Sequence, residues 1–214
     1  FEIMAQINQG TSFLSQAEKQ LYAKLNHRAG IQAKRSGAYT IALDFLLTSQ
    51  TLLPKEIWKQ DHRLGYDIYL SLLQTQYLCT LYSDASLTSK EILKNTPNLV
   101  EQVPIYITQI LNFIGNNQME DAAVKCASVV NSLGFDLVEL PSDTNVHFST
   151  NSLMASKKEI TALENLPDME DEYAKAALAV LAIGCAPAYF SSATTFAKFC
   201  NTMLSICINK GNSP

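Results

Sequence analysis

Glycine and proline are scarce, 8 and 7 among 214 residues, while leucine and alanine abound. That is too few breakers for the turns of an all-β sandwich or barrel of this length, and an all-helical chain is expected instead. Positive charge is not in excess: 16 Lys and Arg stand against 20 Asp and Glu, a net charge of −4. Nucleic acid and anionic lipid are therefore not expected as partners. The five cysteines, Cys79, Cys126, Cys185, Cys200 and Cys207, form no CxxC pair. An odd count in a chain of this size implies no disulfide framework and points to a reducing, cytoplasmic compartment. Cys200 and Cys207 share a helical face but have no third ligand nearby, so no metal is assigned.

The motifs of catalysis are missing too. The chain has no GxxxxGK[ST] loop to cradle phosphates, no GxSxG elbow to raise a serine and no HExxH pair for a metal. His27, His62 and His147 read as surface or helix-end histidines. Asp168, Glu170, Asp171 and Glu172 crowd together, yet at a helix start they complement the helix dipole rather than act as an acid and base pair. No catalytic, cofactor-binding or metal-binding residue is expected.

Nor is a membrane span. No basic segment precedes an apolar stretch at the N-terminus, and the longest uncharged apolar run, Ala176 to Phe190, falls short of the ~20 residues a bilayer needs. It contains Gly184 and Pro187, which predict a buried helix followed by a break. The opening Phe1-Glu2-Ile3 and the closing Gly211-Asn212-Ser213-Pro214, a turn that closes nothing, read as the ends of a piece of a longer protein.

Apolar residues make up 47% of the chain and charged ones 17%, enough to build a core. Their period is helical. Ala17, Leu21, Leu25, Ala29 and Ala33 recur every fourth residue behind a Ser15–Glu18 capping box, giving a helix over 16–35. After Gly37 a second helix runs to Pro54. The segment 61–82 is apolar nearly all round, the profile of a helix enclosed by neighbours. A turn at Ser83-Asp84 leads to a weaker helix over 86–95, and helices over 98–114 and 118–133 flank Gly115-Asn116-Asn117. From 141 to 155 the pattern lapses into a linker or exposed loop. Helices are expected again over 156–165, 170–185 and 190–209, continuing the array to residue 214.

The hairpins, at about 16–54, 61–95 and 98–134, match the 34-residue tetratricopeptide pattern with one good and two weakened copies. Gly30 falls at the small position of the first helix, Gly37 at the turn and Tyr39 two residues later. Ala42 takes the small position of the second helix and Pro54 the closing position. In the looser third copy Asn117 stands at the turn and Ala122 at the small position. In the degenerate second copy Thr88 replaces the small residue. The fold expected over 1–140 is a set of tetratricopeptide-like hairpins stacked as a short α-solenoid.

A narrower resemblance rests on the run from Lys24 to Lys34 (KLNHRAGIQAK), then Ser36-Gly37-Ala38-Tyr39, and Leu52-Leu53-Pro54 with Trp58. Three further stretches carry it: Leu133 to Leu137, Leu166-Pro167-Asp168-Met169 with Ala186-Pro187-Ala188-Tyr189, and Asn209 to Pro214. Together they resemble the helical region that follows the AAA/STAND-type ATPase module in large hybrid sensor histidine kinases of fungi, with related multidomain kinases in cyanobacteria. Residues 83–97 depart from that family's second-helix pattern. The family's phosphoacceptor histidine, nucleotide-binding boxes and receiver aspartate lie outside this region, so the resemblance implies a non-catalytic scaffold. It would serve an ATP-dependent kinase of a stress-response phosphorelay and contact neighbouring modules of the same chain. The other reading is a stand-alone adaptor that binds a peptide or partner protein in a concave groove. Carboxylate-clamping repeats use Lys and Asn where this chain has His27 and Ile31, which counts against a chaperone adaptor. Tyr66, Tyr69, Tyr77 and Tyr82 are expected in the core rather than in a binding stripe.

Overall fold

The computed structural model describes residues 14–139 and 166–212, together with residues 6, 8 and 10. The described residues form nine helices and no strand, so the chain is all-α. The helices are α1 (Gln16–Arg35), α2 (Tyr39–Thr51), α3 (Ile57–Gln60), α4 (His62–Leu78), α5 (Tyr82–Asn95), α6 (Leu99–Gly115), α7 (Met119–Ser132), α8 (Glu172–Ser191) and α9 (Ala193–Lys210). The helix expected over 156–165 and the linker at 141–155 lie outside the described residues. The chain divides into two compact units, Phe1–Pro97 and Asn98–Pro214, a boundary that falls within the stretch read as one array.

In the first unit α1 pairs with α2, α4 packs against both, and α5 packs on α4. Helix α1 starts where Ser15 accepts from Glu18 N–H while the Glu18 carboxylate accepts from Ser15 N–H, a reciprocal cap that satisfies two otherwise orphaned donors. Leu46, Ile68, Leu72, Leu73 and Ile92 are fully buried here. The buried Ser49 Oγ donates to Ala23 O at 2.8 Å, joining α2 to α1. Asn26 exchanges amide hydrogen bonds with Asn8 at 2.8 and 2.9 Å.

In the second unit α8 packs against α7, α9 and α6. It is apolar nearly all round, and Val180, Leu181 and Phe199 of α9 anchor the core with Cys126, Val130 and Ile110. The break expected near Gly184 and Pro187 does not occur: α8 runs unbroken from Glu172 to Ser191. Pro187 forfeits the bond from its own nitrogen to Ile183 O and its ring crowds that carbonyl, yet the helix continues through it to Ser191. Gly184 is retained for contact, since a Cβ there would lie 2.7 Å from Phe199 and 2.8 Å from Cys126 Sγ. At 20 residues and mean hydropathy 1.5, α8 is long and apolar enough to cross a membrane, so length does not exclude a span as the 15-residue apolar run implied; about half of its apolar stretch is buried.

The chain end also differs from expectation. Gly211, at φ +101°, carries the backbone from α9 into an isolated parallel bridge between Asp168 and Asn212. Met169 N–H donates to Asn212 O at 2.7 Å and Asn212 N–H to Pro167 O at 2.8 Å. Lys210 pairs with Asp171, the N-cap of α8, at 2.9 Å. Residues 166–169 and 209–212, read as separate stretches in the sequence, are thus one structural feature that closes the α8–α9 hairpin.

Candidate functional site

Three turns are built alike, and they define the hairpins. Gly37 (φ +80°), Thr80 (φ +60°) and Asn117 (φ +59°) each adopt the left-handed conformation at the second residue after a helix. In each case the next residue sends its N–H back five positions: Ala38 to Ala33 O, Leu81 to Gln76 O and Gln118 to Phe113 O, at 3.0, 2.9 and 2.8 Å. This is a Schellman closure, which satisfies orphan carbonyls and reverses the chain within two residues. The following helix then begins at Tyr39, Tyr82 or Met119.

Five residues beyond each left-handed residue stands an alanine with no exposed surface: Ala42, Ala85 and Ala122. The middle turn is therefore at Thr80-Leu81 and not at Ser83-Asp84, the helix after it begins four residues earlier than expected, and its small residue is Ala85 rather than Thr88. Pattern reading missed this because a β-branched threonine is a poor signal for φ > 0. The signal that finds it is the equal offset from turn to alanine.

Of the residues singled out from the sequence, Gly30 and Ala42 are brought together. A Cβ on Gly30 would lie 3.3 Å from Ala42 O and 2.6 Å from Leu46 Cγ. Gly37 and Tyr39 form the turn, Tyr39 N–H donating to Gly37 O at 3.0 Å. Pro54 accepts from Ile57 N–H at 3.0 Å and so leads into α3, a short helix the sequence reading did not separate. Ala122 serves the α6–α7 hairpin in the second unit.

The first helices of the first two hairpins, α1 and α4, meet through polar side chains. His27 Nε2 lies 2.9 Å from Ser71 Oγ, and Lys34 Nζ donates to Gln74 Oε1 at 2.7 Å. Burial depresses the His27 pKa, opposed by the nearby Asp67 carboxylate, and burial likewise lowers that of Lys34, aided by Arg35. His27 is thus biased toward its neutral form, a hydrogen-bonding partner rather than a fixed cation. His62 contacts Asn95 O at 2.9 Å; His147 lies outside the described residues. The tyrosines divide: Tyr66 is buried, Tyr69 packs at a tilt against Trp58 with ring centroids 5.2 Å apart, and Tyr77 meets the exposed Tyr82 at 6.3 Å.

The thiols are poor nucleophiles. Burial raises Cys126 to about 12 and Cys185 to about 11, with neighbouring cysteines adding to the effect in each case. Asp171 caps α8, accepting from Tyr173 and Ala174 N–H. Among the described residues no group of three or more His, Cys, Asp or Glu is placed to hold a metal ion.

These features define an all-α protein of short helical hairpins whose polar residues act on neighbouring helices. Compared with known proteins, the chain matches no family model, no curated protein and no solved structure.

Proposed function

We propose that the chain is a non-catalytic, tetratricopeptide-like scaffold that binds other protein surfaces. The observation that carries this reading is the repeated turn with its buried alanine at Ala42, Ala85 and Ala122, the same hairpin written three times. Hairpins of this kind stack into solenoids and work by presenting surface, not by turning over substrate. The His27–Ser71 and Lys34–Gln74 contacts supply polar groups on the α1 and α4 side, where such a solenoid would be concave.

The narrower proposal follows the resemblance described above: a cytoplasmic segment of a hybrid sensor histidine kinase in a stress-response phosphorelay, contacting neighbouring modules of the same chain. Its own residues bind no cofactor; ATP would serve the parent kinase. A stand-alone adaptor remains the competing assignment. Reading the complete open reading frame separates the two, an ATPase before Phe1 and a GAF or histidine-kinase module after Pro214 supporting the first and their lack supporting the second. The purified 214 residues should take up no label from γ-labelled ATP, and labelling abolished by replacing a histidine would overturn the scaffold reading.

A further inference from the structure

One cleft of the first unit, of about 310 Å³, lies between α2, α4 and α5. It is at the small end of the ~300–1,000 Å³ typical of ligand sites, room for one side chain and its neighbour. Leu43 and Leu47 of α2 form one wall, and Leu81 and Leu87 the other. Leu87 is 66% exposed, so this wall of the cleft is open to solvent. The cleft is distinct from the His27–Gln74 face, because Gln74 and Gln76, two residues apart, project from nearly opposite sides of α4 at 100° per residue.

Two features of the lining specify an occupant. Gln76 is only 4% exposed, and its Oε1 has no hydrogen-bond partner among the described residues. An unsatisfied buried acceptor costs free energy that a suitable donor recovers. Asp84 carries the one formal charge of the described lining, and no Lys, Arg or His contributes to it. Four leucines, an acceptor lacking a donor and a carboxylate at the edge call for something apolar, N–H-donating and cationic.

We propose that this cleft docks a segment of a partner protein that presents an aliphatic side chain beside a lysine or arginine. The aliphatic group enters between Leu47 and Leu87, a backbone N–H of the segment donates to Gln76 Oε1, and the cation pairs with Asp84. Oε1 is itself buried, and the soft terminal torsion of glutamine lets the amide turn it toward the donor. The assignment holds whether the chain belongs to a kinase or stands alone.

The test titrates the ¹⁵N-labelled 214-residue chain with N-acetyl-leucyl-lysine amide, N-acetyl-leucyl-norleucine amide and N-acetyl-leucyl-glutamate amide, and with butylammonium chloride. The lysine peptide should shift the Leu81, Asp84 and Leu87 amides and the Gln76 side-chain NH₂ along a saturating curve. The norleucine peptide should bind about threefold more weakly, the worth of one exposed ion pair, and the glutamate peptide more weakly again. Asp84→Asn, a change at an exposed residue, should abolish the difference between lysine and norleucine. Gln76→Met, which keeps the side chain's shape, should weaken both peptides about fivefold, the worth of one net hydrogen bond. Equal binding of all three peptides, or discrimination that survives Asp84→Asn, overturns the proposal. So does saturation of the same signals by butylammonium as readily as by the lysine peptide, which would assign the cleft to free amines.

Discussion

Gly30 and Leu46 occupy space that a single added carbon would contest: a Cβ on Gly30 would stand 2.6 Å from Leu46 Cγ and 2.9 Å from its Cδ2. Leu46 is fully buried and cannot swing aside into solvent. A glycine inside a helix forgoes ~1 kcal/mol of propensity relative to alanine. Gly30→Ala should nevertheless lower stability by about 1–2 kcal/mol and Gly30→Leu by more, through overpacking. Urea midpoints of the two variants decide this, and a higher midpoint for either would show that the α1–α2 crossing has slack. In a double-mutant cycle Leu46→Ala should relieve part of the cost, because the two residues share one space.

Thr80 offers the opposite case. It holds φ +60° in the middle turn, where Gly37 stands in the first. A β-branched residue in the left-handed region is strained, by roughly 1–2 kcal/mol relative to glycine. Part of the relief is offset by glycine's greater unfolded-state freedom, so Thr80→Gly should raise stability by about 1 kcal/mol. The urea midpoint should rise without a change in m-value.

Gly211 should tolerate no side chain. Its Cβ would run into Pro167 O and lie 3.2 Å from Met169 N, and its φ of +101° with ψ 179° falls in a region that side chains rarely adopt. Gly211→Ala should therefore cost about 2–3 kcal/mol. Hydrogen exchange provides the local readout: the Met169 and Asn212 amides, bonded across this closure, should lose protection first.

His27 makes stability depend on pH. Burial holds its pKa below the usual 6.5, so the unfolded chain takes up a proton in a range where the folded chain resists one. By linkage, stability should fall as pH drops below about 6.5 and stop falling once the depressed folded value is passed. His27→Gln retains a hydrogen-bonding side chain for Ser71 without titrating, and should flatten the profile of unfolding free energy between pH 7 and 5. An unchanged slope in that variant would assign the dependence to other groups.

Cys126, held at about 12 by burial, should resist alkylation at pH 8 in the folded chain and react only after denaturant is added. Mass spectrometry of iodoacetamide-treated protein reads this directly, and rapid labelling without denaturant would mean that the α7–α8 contact opens readily.

Much of this architecture is legible in the residue pattern. The helical period, the Ser15–Glu18 capping box, the apolar α4 and the pairing across Gly37 are local properties, encoded within a few residues of where they act. The sequence also placed Gly30 opposite Ala42, because the tetratricopeptide pattern puts its small residues where the two helices of a hairpin cross. What it could not settle were features decided by contacts between distant residues. Thr80 takes a glycine's conformation because α4 and α5 pack on each other and force the turn. Pro187 stays, buried, inside α8, a helix packed against α6, α7 and α9. Residues 166–169 and 209–212 become one closure only when two antiparallel helices bring them together. The buried Oε1 of Gln76 is likewise invisible in sequence: a glutamine is an ordinary helix residue until three helices enclose it, and only that enclosure turns an unpaired oxygen into a candidate for recognition.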